Sequence, residues 1–229
     1  GIGFPVRKEV LHTKFRVKKL SMHSRVVISV STILTVVGML LLRLTENISW
    51  LGAFFTSVSA RTAGFSTCPL SDFTNAGRVV MLFLMFVGAS PGSTAGGIKT
   101  TTLFVLLQGI KSSATNRSEK AFHYSVPENA FKKAAVITLI GIAVVTAGTF
   151  VMSAAEPSLA LSDILLEVVS AFGTVGLSTG ITPTLSLGSK LLSMVIMYIG
   201  RLGPLTIATM WYFSNGERSR YPEGNIAIG

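Results

Sequence analysis

One polar, glycine-centred block occurs twice in this chain at a fixed distance. Residues 62–67 read TAGFST, and residues 174–179, which lie 112 positions later, read TVGLST. The same spacing relates residues 85–88 (MFVG) to residues 197–200 (MYIG). Two matches in one register indicate a tandem repeat, so the fold must contain two similar units. Apolar stretches flank each block, which predicts that both units are embedded in a membrane.

The composition supports a membrane protein with a lipid bilayer as its surroundings. Charged residues make up only 13% of the 229 residues, whereas a soluble domain has roughly 25%. Mean hydropathy is +0.60. The net charge is +10, but the basic residues cluster in residues 7–25, 111–133 and 218–220, with apolar segments between them. Such clustering is typical of cytoplasmic loops, and it argues against a nucleic-acid partner.

Few residues of this chain predict metal or disulfide chemistry. Cys68 is the single cysteine and cannot form an internal disulfide, and no Cys/His cluster resembles a zinc site. His12, His23 and His123 fall in predicted cytoplasmic segments, where a solvated or partner-facing role is commoner than metal ligation. The chain has no visible signal peptide and starts with Gly1 rather than Met, so we expect it to be the tail of a longer polypeptide.

Four stretches are apolar enough to span a bilayer, namely residues 26–42, 79–108, 134–152 and 191–213. Two further stretches, residues 50–61 and 162–173, hold about a dozen residues each. At a rise of about 1.5 Å per residue, neither can cross roughly 30 Å of hydrocarbon. Each short stretch ends at a repeated block, which predicts a half-helix that enters the membrane and stops, followed by a loop that returns.

The predicted fold is therefore an all-α polytopic membrane protein with two tandem repeats of span, pore helix, filter loop and span. The repeats cover residues 23–112 and 134–214, with filter loops at 62–66 and 174–178. A basic segment (1–22), a linker (113–133) and a tail (215–229) lie outside them. Because the basic clusters fall on one side of four spans, we expect cytoplasmic N and C termini and a location in the cell membrane.

The repeated blocks predict a cation site built from backbone carbonyls. Non-helical backbone at membrane depth must line a cavity or be buried in protein. Glycine permits successive carbonyls to turn to one side, and the C-terminal end of the preceding half-helix is partly negative. The alternative is a pair of simple glycine turns at helix ends. The predicted filter residues are Thr62, Ala63, Gly64, Phe65, Thr174, Val175, Gly176 and Leu177.

Residues 88–99 interrupt the second apolar stretch with four glycines and one proline. Proline removes a backbone donor and glycine lowers helix stability, so the helix should unwind here into a loop below the filter. The alternative is a kinked helix with small residues for close packing. The candidate gate residues in this loop are Gly88, Ser90, Pro91, Gly92, Ser93, Thr94, Gly96, Gly97 and Lys99.

The same loop contains two motifs that soluble enzymes use. Residues 88–92 match G-x-S-x-G, which requires a preceding strand and a later acid and histidine, in that order. Residues 92–99 resemble a phosphate loop, but Ile98 separates the last glycine from Lys99. With membrane segments on both sides and the downstream order wrong, neither motif predicts an enzyme.

Together these motifs resemble the Trk/Ktr/HKT superfamily of potassium transporters. Residues 62–65 and 172–180 look like two of its filter loops, and residues 88–102 look like its intramembrane gating loop. Residues 220–224 are similar to the C-terminus of Ktr-type membrane subunits. The family has four repeats around one pore, and this chain has two. The resemblance therefore implies the third and fourth repeats, with the first two in a missing N-terminal half of the same polypeptide.

The resemblance also implies a function and partners. It implies potassium uptake through a channel-like pore, with K⁺ as the transported ion, Na⁺ as an activator and no cofactor in this chain. It implies a homodimer of membrane subunits and a cytoplasmic ring of regulatory subunits. A nucleotide would act only by binding to those regulatory subunits. Two other functions remain open from the residues themselves: a secondary transporter of another solute with re-entrant hairpins, and a non-conducting membrane partner.

Arg201 is a charge within the last apolar stretch. Such a charge must face protein or water. It aligns with Ala89 at the repeat spacing, so we predict that it faces the pore below the filter, as the resemblance also implies. There it would bond to carbonyls of residues 88–97 or repel cations. The alternative is a structural arginine between helices. Lys99 has a second option, since its long side chain can extend to the membrane surface.

Overall fold

The structure is a computed structural model that describes residues 1–14, 20–115, 120–121, 124–125 and 128–203. This part of the chain is almost entirely helical, as predicted. The helices are α1 Phe4–His12, α2 Met22–Thr45, α3 Trp50–Ala60, α4 Asn75–Phe86, α5 Thr100–Thr115, α6 Glu128–Ala155, α7 Leu161–Gly173 and α8 Leu187–Leu202. The described remainder includes two 3₁₀ turns, Leu70–Asp72 and Thr182–Thr184, and a two-residue antiparallel pair of strands, β1 Lys120–Ala121 and β2 Tyr124–Ser125.

Helix length separates the spans from the half-helices. Among the described residues, α2 and α6 are the two helices long and apolar enough to cross a membrane. By contrast, α3 has 11 residues and α7 has 13, which at the helical rise gives only about 17–20 Å. The second apolar stretch is divided into α4 and α5 by residues 87–99, which are not helical. A merely kinked helix is therefore the wrong interpretation of that stretch.

The last predicted span is not one continuous helix. We expected a helix over residues 191–213, but α8 begins at Leu187 and ends at Leu202. Gly203 has φ +90° and ψ 135°, which is outside the helical region. Pro204 follows it, and a residue before proline is disfavoured in the helical conformation. Residues 204–229, with the predicted C-terminal tail, and His123 lie outside the described residues. Within the predicted linker, α5 extends to Thr115 and α6 already begins at Glu128.

Carboxylates lie in a similar way at the start of the helix that follows each filter loop, α4 in the first repeat and α8 in the second. Glu46 Oε1 accepts hydrogen bonds from the Thr74 backbone N–H (3.0 Å) and hydroxyl (2.7 Å) at the start of α4. Glu156 Oε1 accepts from the Ser186 backbone N–H and the Ser189 hydroxyl, both at 2.8 Å, at the start of α8. Thr74 and Ser186 are N-caps at the repeat spacing. The repeat thus extends to the helix caps, where negative charge is favoured.

Hydrogen bonding changes the acidity of two carboxyl groups outside the spans. The pKa of Glu156 is lowered, chiefly by the side-chain hydrogen bond from Ser186. The pKa of Glu9 is lowered as well, chiefly by the hydroxyl of Ser24 in the first turn of α2. In both cases the hydrogen bonds at the helix start favour the ionised form of the carboxyl group.

The two half-helices have different surroundings. α7 packs among α4, α6 and α8, and its residues from Leu166 to Gly173 are all buried. Phe172 is fully buried and stacks on Phe86 with ring centroids 5.6 Å apart. α3 packs mainly against α2 and less extensively against α4, and it leaves Trp50 and Leu51 exposed. Within the described bundle, the second half-helix is therefore central and the first lies at an edge.

One ion pair connects the repeats. Arg78 on α4 donates to Asp163 Oδ1 (3.0 Å) and to the hydroxyl of Ser162 (2.8 Å), both in the first turn of α7. Its other nitrogen donates to the Ser71 carbonyl at 2.9 Å. Arg78 thus attaches α4 to α7.

Candidate cation site and gate loop

A buried serine of α3 holds the first filter loop. The backbone N–H groups of Ala63 and Gly64 donate to the Ser59 carbonyl (3.0 and 3.2 Å), and that of Phe65 donates to the Ser59 hydroxyl at 2.7 Å. Thr62 and Gly64 have φ +67° and +79°. A β-branched residue rarely adopts this left-handed region, and doing so costs on the order of 1–3 kcal/mol. The surrounding contacts therefore impose the conformation of Thr62.

A buried serine of α7 holds the second filter loop in a similar way. Val175 N–H donates to the Ser170 carbonyl (2.9 Å), and Gly176 N–H donates to the Ser170 hydroxyl (3.2 Å). Thr174 caps α7 in the left-handed conformation, with φ 50° and ψ 42°. Each serine hydroxyl thus accepts from the amide six residues later. Neither serine was predicted from the sequence, because the two are 111 positions apart and the repeated blocks are 112 positions apart.

These bonds leave the predicted carbonyl ligands available. The loop amides are directed back to the half-helices, and none of the hydrogen bonds among the described residues ends on the carbonyls of residues 62–64 or 174–176. The two loops also meet: a Cβ added to Gly64 would lie 3.2 Å from the Val175 carbonyl carbon and nearer still to its oxygen. Unpaired carbonyls at the ends of two half-helices form a site suited to a cation.

The outer two predicted filter residues differ from the inner ones in their contacts. The Phe65 carbonyl accepts a hydrogen bond from Ser59, which occupies one of its two lone pairs, and the Phe65 side chain is 70% exposed. The Leu177 side chain is buried in the hydrophobic core. The role of both residues in the filter stays a prediction.

A second polar group lies behind the exit of the second loop. Glu167 on α7 is buried, and its Oε1 accepts from the Thr182 hydroxyl at 2.6 Å. That hydroxyl also lies 3.0 Å from the hydroxyl of Ser178, just after the filter. The aligned position of the first repeat is Phe55, so this bracing exists in one repeat only.

Residues 88–99 form a compact loop between α4 and α5. Val87 pairs with Ile98 across its neck, and a Cβ on Gly88 would lie 3.2 Å from the Gly96 carbonyl carbon. Inside the loop, the Ser93 hydroxyl donates to the Ser90 carbonyl at 2.6 Å. Ser90 itself is fully buried and is preceded by a helix rather than a strand. This geometry is contrary to a nucleophile elbow, whose serine is exposed on a strand–helix turn.

Three parts of the chain hold this loop in place. Gly96 N–H donates to the Thr174 hydroxyl at 3.0 Å, and Gly97 N–H donates to the Gly200 carbonyl on α8 at 3.2 Å. On the opposite side, Ser90 N–H donates to the Gly1 carbonyl at 3.0 Å. Phe4 N–H, at the start of α1, donates to the Gly92 carbonyl at 3.1 Å. Pro91 and Thr94, which are also candidate gate residues, take part in none of these four hydrogen bonds.

One of the two roles predicted for Arg201, a hydrogen bond to the carbonyls of residues 88–97, is not found among the described residues. The Arg201 side chain is exposed, and Lys99 donates to the Ala95 carbonyl within the loop. Arg201 and Lys99 lie close enough for their positive charges to repel each other. That Arg201 faces the pore and repels cations stays a prediction.

Arg61 is a further charged residue beside the first filter loop. It caps the C-terminal end of α3 and is half-buried. Its guanidinium donates to the Ser31 carbonyl on α2 at 2.9 Å and lies 3.4 Å from the hydroxyl of Thr35. Because Thr62 follows directly, Arg61 attaches the first filter loop to α2.

Comparison with known proteins identifies the family. Residues 10–216 match the sequence family described as "TrkH: Cation transport protein". The chain belongs to the TrkH family. Its fold is that of a solved TrkH potassium transporter from Vibrio parahaemolyticus, with a TM-score of 0.71 at 21% identity over 91% of this chain and 48% of that one. The two glycine-centred loops and residues 88–99 of this TrkH-family chain thus lie in a polytopic membrane transporter fold.

Curated TrkH-family relatives are about twice as long as this chain. It is 34% identical to the potassium/sodium uptake protein NtpJ of Enterococcus hirae, covering 100% of this chain and 54% of that protein. The same figures apply to the Ktr system potassium uptake protein B of Bacillus subtilis. The chain therefore spans about half the length of these relatives, which agrees with the expectation that it is a C-terminal half. The relatives named here are transporters rather than enzymes.

Proposed function

We propose that this chain forms half of a potassium uptake pore, with residues 62–64 and 174–176 as two of four filter segments. The observation that carries the proposal is the pair of loops whose amides are bonded to Ser59 and Ser170, while their carbonyls accept no hydrogen bond from the described residues. The loops approach each other where the Val175 carbonyl lies against Gly64. Carbonyls held in this way can replace the hydration shell of a cation. Relatives named for potassium uptake match over the whole chain.

The remaining filter segments would come from an N-terminal half of the same polypeptide. An open cleft of about 510 Å³ borders the first filter loop, with Ser31, Phe54 and Thr62 in its lining. The neighbouring face of α3 is apolar and exposed. A further repeat packed on this side would enclose the first half-helix, α3, in the same way that the described helices already enclose the second half-helix, α7.

The gate loop would block the ion path on the side of the filter where α1 lies. With basic residues concentrated in α1 and around the linker, that side would be cytoplasmic, and the chain would cross the cell membrane several times. A homodimer, a cytoplasmic ring of nucleotide-binding subunits and activation by Na⁺ complete the proposal. The transporter would use no cofactor in this chain and catalyse no chemical reaction.

The test is potassium uptake by the full-length chain in cells that lack their own uptake systems. We expect Gly64→Asp and Gly176→Asp to abolish uptake, because both positions have positive φ and a side chain would enter the site. Gly188→Asp is the matched control: nothing lies within 4 Å of a Cβ there, and an acidic residue is favoured in the first turn of α8. Uptake that persists in both filter variants would exclude the proposed site.

A further inference from the structure

The two filter threonines occupy equivalent positions but have different partners. Thr62 and Thr174 lie at the repeat spacing, and both have left-handed backbones, with φ +67° and +50°. The Thr174 hydroxyl accepts the hydrogen bond of Gly96 N–H at 3.0 Å. The Thr62 hydroxyl takes part in none of the hydrogen bonds found within the described ranges. Only the second filter loop is therefore bonded to the gate loop.

The contact between the gate loop and the second filter loop is close. A Cβ added to Gly96 would lie 2.6 Å from the Thr174 hydroxyl oxygen, 2.8 Å from its methyl carbon and 3.0 Å from the Gly173 carbonyl oxygen. Gly96 is buried. The Gly96 nitrogen and the Thr174 hydroxyl oxygen are 3.0 Å apart, which leaves no room for a water molecule between them. The Gly96 amide therefore depends on Thr174 for its hydrogen bond. If the bond broke without movement of the loop, a buried donor would remain unpaired.

The next residue of the loop is held from another direction. Gly97 N–H donates to the Gly200 carbonyl of α8 at 3.2 Å. Gly200 in turn lies against α7, where an added Cβ would be 2.7 Å from the carbonyl carbon of Phe172, two residues before Thr174. Gly96 and Gly97 are thus held between the second filter loop and the helix that packs on it. A loop that leaves this place must give up the Thr174 bond.

We propose that the Thr174 side chain is a latch that couples the gate loop to the second filter loop, while the first filter loop is independent of the gate. This inference rests on the proposed function, because it assigns the loop to gating. Thr174 is a positioning residue in this role. Loop release removes one of the contacts that hold its left-handed backbone, so the filter and the gate change together.

The test compares matched substitutions in the full-length, purified transporter. Thr174→Val keeps the shape and removes the acceptor; Thr174→Ser keeps the acceptor; Thr62→Val makes the same change in the uncoupled loop. Hydrogen exchange of the peptide that covers residues 92–99 reports release of the gate loop and does not depend on conduction. Since one hydrogen bond changes an opening equilibrium about fivefold, we expect Thr174→Val to speed exchange by about that factor.

The controls separate the latch from other effects. We expect Thr174→Ser and Thr62→Val to leave exchange of the gate loop as it is in the unsubstituted protein. Potassium flux through the Thr174→Val variant, measured without activation, should increase by a similar factor. Unchanged exchange in Thr174→Val, or equal increases in Thr174→Val and Thr62→Val, would overturn the latch. If the valine variant does not fold, Thr174→Ala, which needs less space, makes the same comparison.

The result is distinct from the test of the proposed function. If the unsubstituted protein carries no potassium, the proposed function fails, yet the exchange measurement still decides whether Thr174 holds the loop. If it carries potassium and the exchange of Thr174→Val is unchanged, only the latch fails.

Discussion

Gly200→Ala tests the closest helix contact of the second repeat. The added Cβ would lie 2.7 Å from the Phe172 carbonyl carbon and 3.1 Å from its Cα, and nearer still to the oxygen. These are backbone atoms of α7, which is buried nearly all round, so no flexible side chain can move aside. An ordinary contact requires α8 to shift by at least about 0.7 Å in a close-packed interior.

The expected magnitude follows from three opposing effects. Overpacking of this kind costs about 1–3 kcal/mol, and a shift of α8 weakens the Gly97–Gly200 hydrogen bond, which is worth about 1 kcal/mol. Alanine favours a helix over glycine by about 1 kcal/mol. We therefore expect the free energy of unfolding to fall by about 1–3 kcal/mol in Gly200→Ala.

The matched control is Gly188→Ala in the same helix, where nothing lies within 4 Å of the added Cβ. This variant should be unchanged or more stable by up to about 1 kcal/mol. Thermal unfolding of the purified full-length protein, followed by the fluorescence of a thiol-independent dye, gives the order of the two variants. A Gly200→Ala protein that unfolds at or above the temperature of Gly188→Ala would refute the close approach of α7 and α8.

Two further predictions concern polar contacts at the end of the bundle that carries the caps of α4 and α8. Arg78→Ala should lower the free energy of unfolding by about 1–3 kcal/mol, because Asp163 and Ser162 lose their common donor. Thermal unfolding measures this loss. If Arg78→Lys lost as much stability as Arg78→Ala, the hydrogen bonds of the guanidinium to Asp163 and Ser162 would be contradicted. Because the pKa of Glu156 is lowered on folding, its contribution to stability is present above about pH 4.5 and is lost as pH falls through the folded-state pKa. Glu156→Gln should therefore reduce the decline of the unfolding temperature with acid, and an unchanged decline would show that this carboxylate does not contribute.

Local sequence was enough to predict the short helices and the broken span. The lengths of apolar runs gave the limits of α3 and α7 to within one residue and those of α2 and α6 to within six, because a half-helix and a span differ in the number of residues that the bilayer requires. The failure at Gly203 arose from counting apolar residues through a Gly-Pro pair. That pair is a local signal, and it was available in the sequence.

The serines that hold the filters could be predicted only in part. Ser59 and Ser170 are small polar residues inside apolar half-helices, which is a visible signal, but their slightly unequal spacing hides the correspondence. The hydrogen bond predicted between Arg201 and the gate loop is absent from the described residues for another reason. The repeat alignment placed Arg201 opposite the loop by residue number, whereas α8 brings the Gly200 carbonyl to the Gly97 amide.

The sequence by itself determined that the chain has two repeats, that each has a helix too short to span, and that glycine-centred loops follow those helices. These properties depend on residue type and spacing along the chain. Only the tertiary structure decided which amides the serines bind, which carbonyls remain free, and that Thr174 rather than Thr62 bonds to the gate loop. Gly96 and Thr174 are separated by 78 positions, and only the packing of α4, α7 and α8 brings them together.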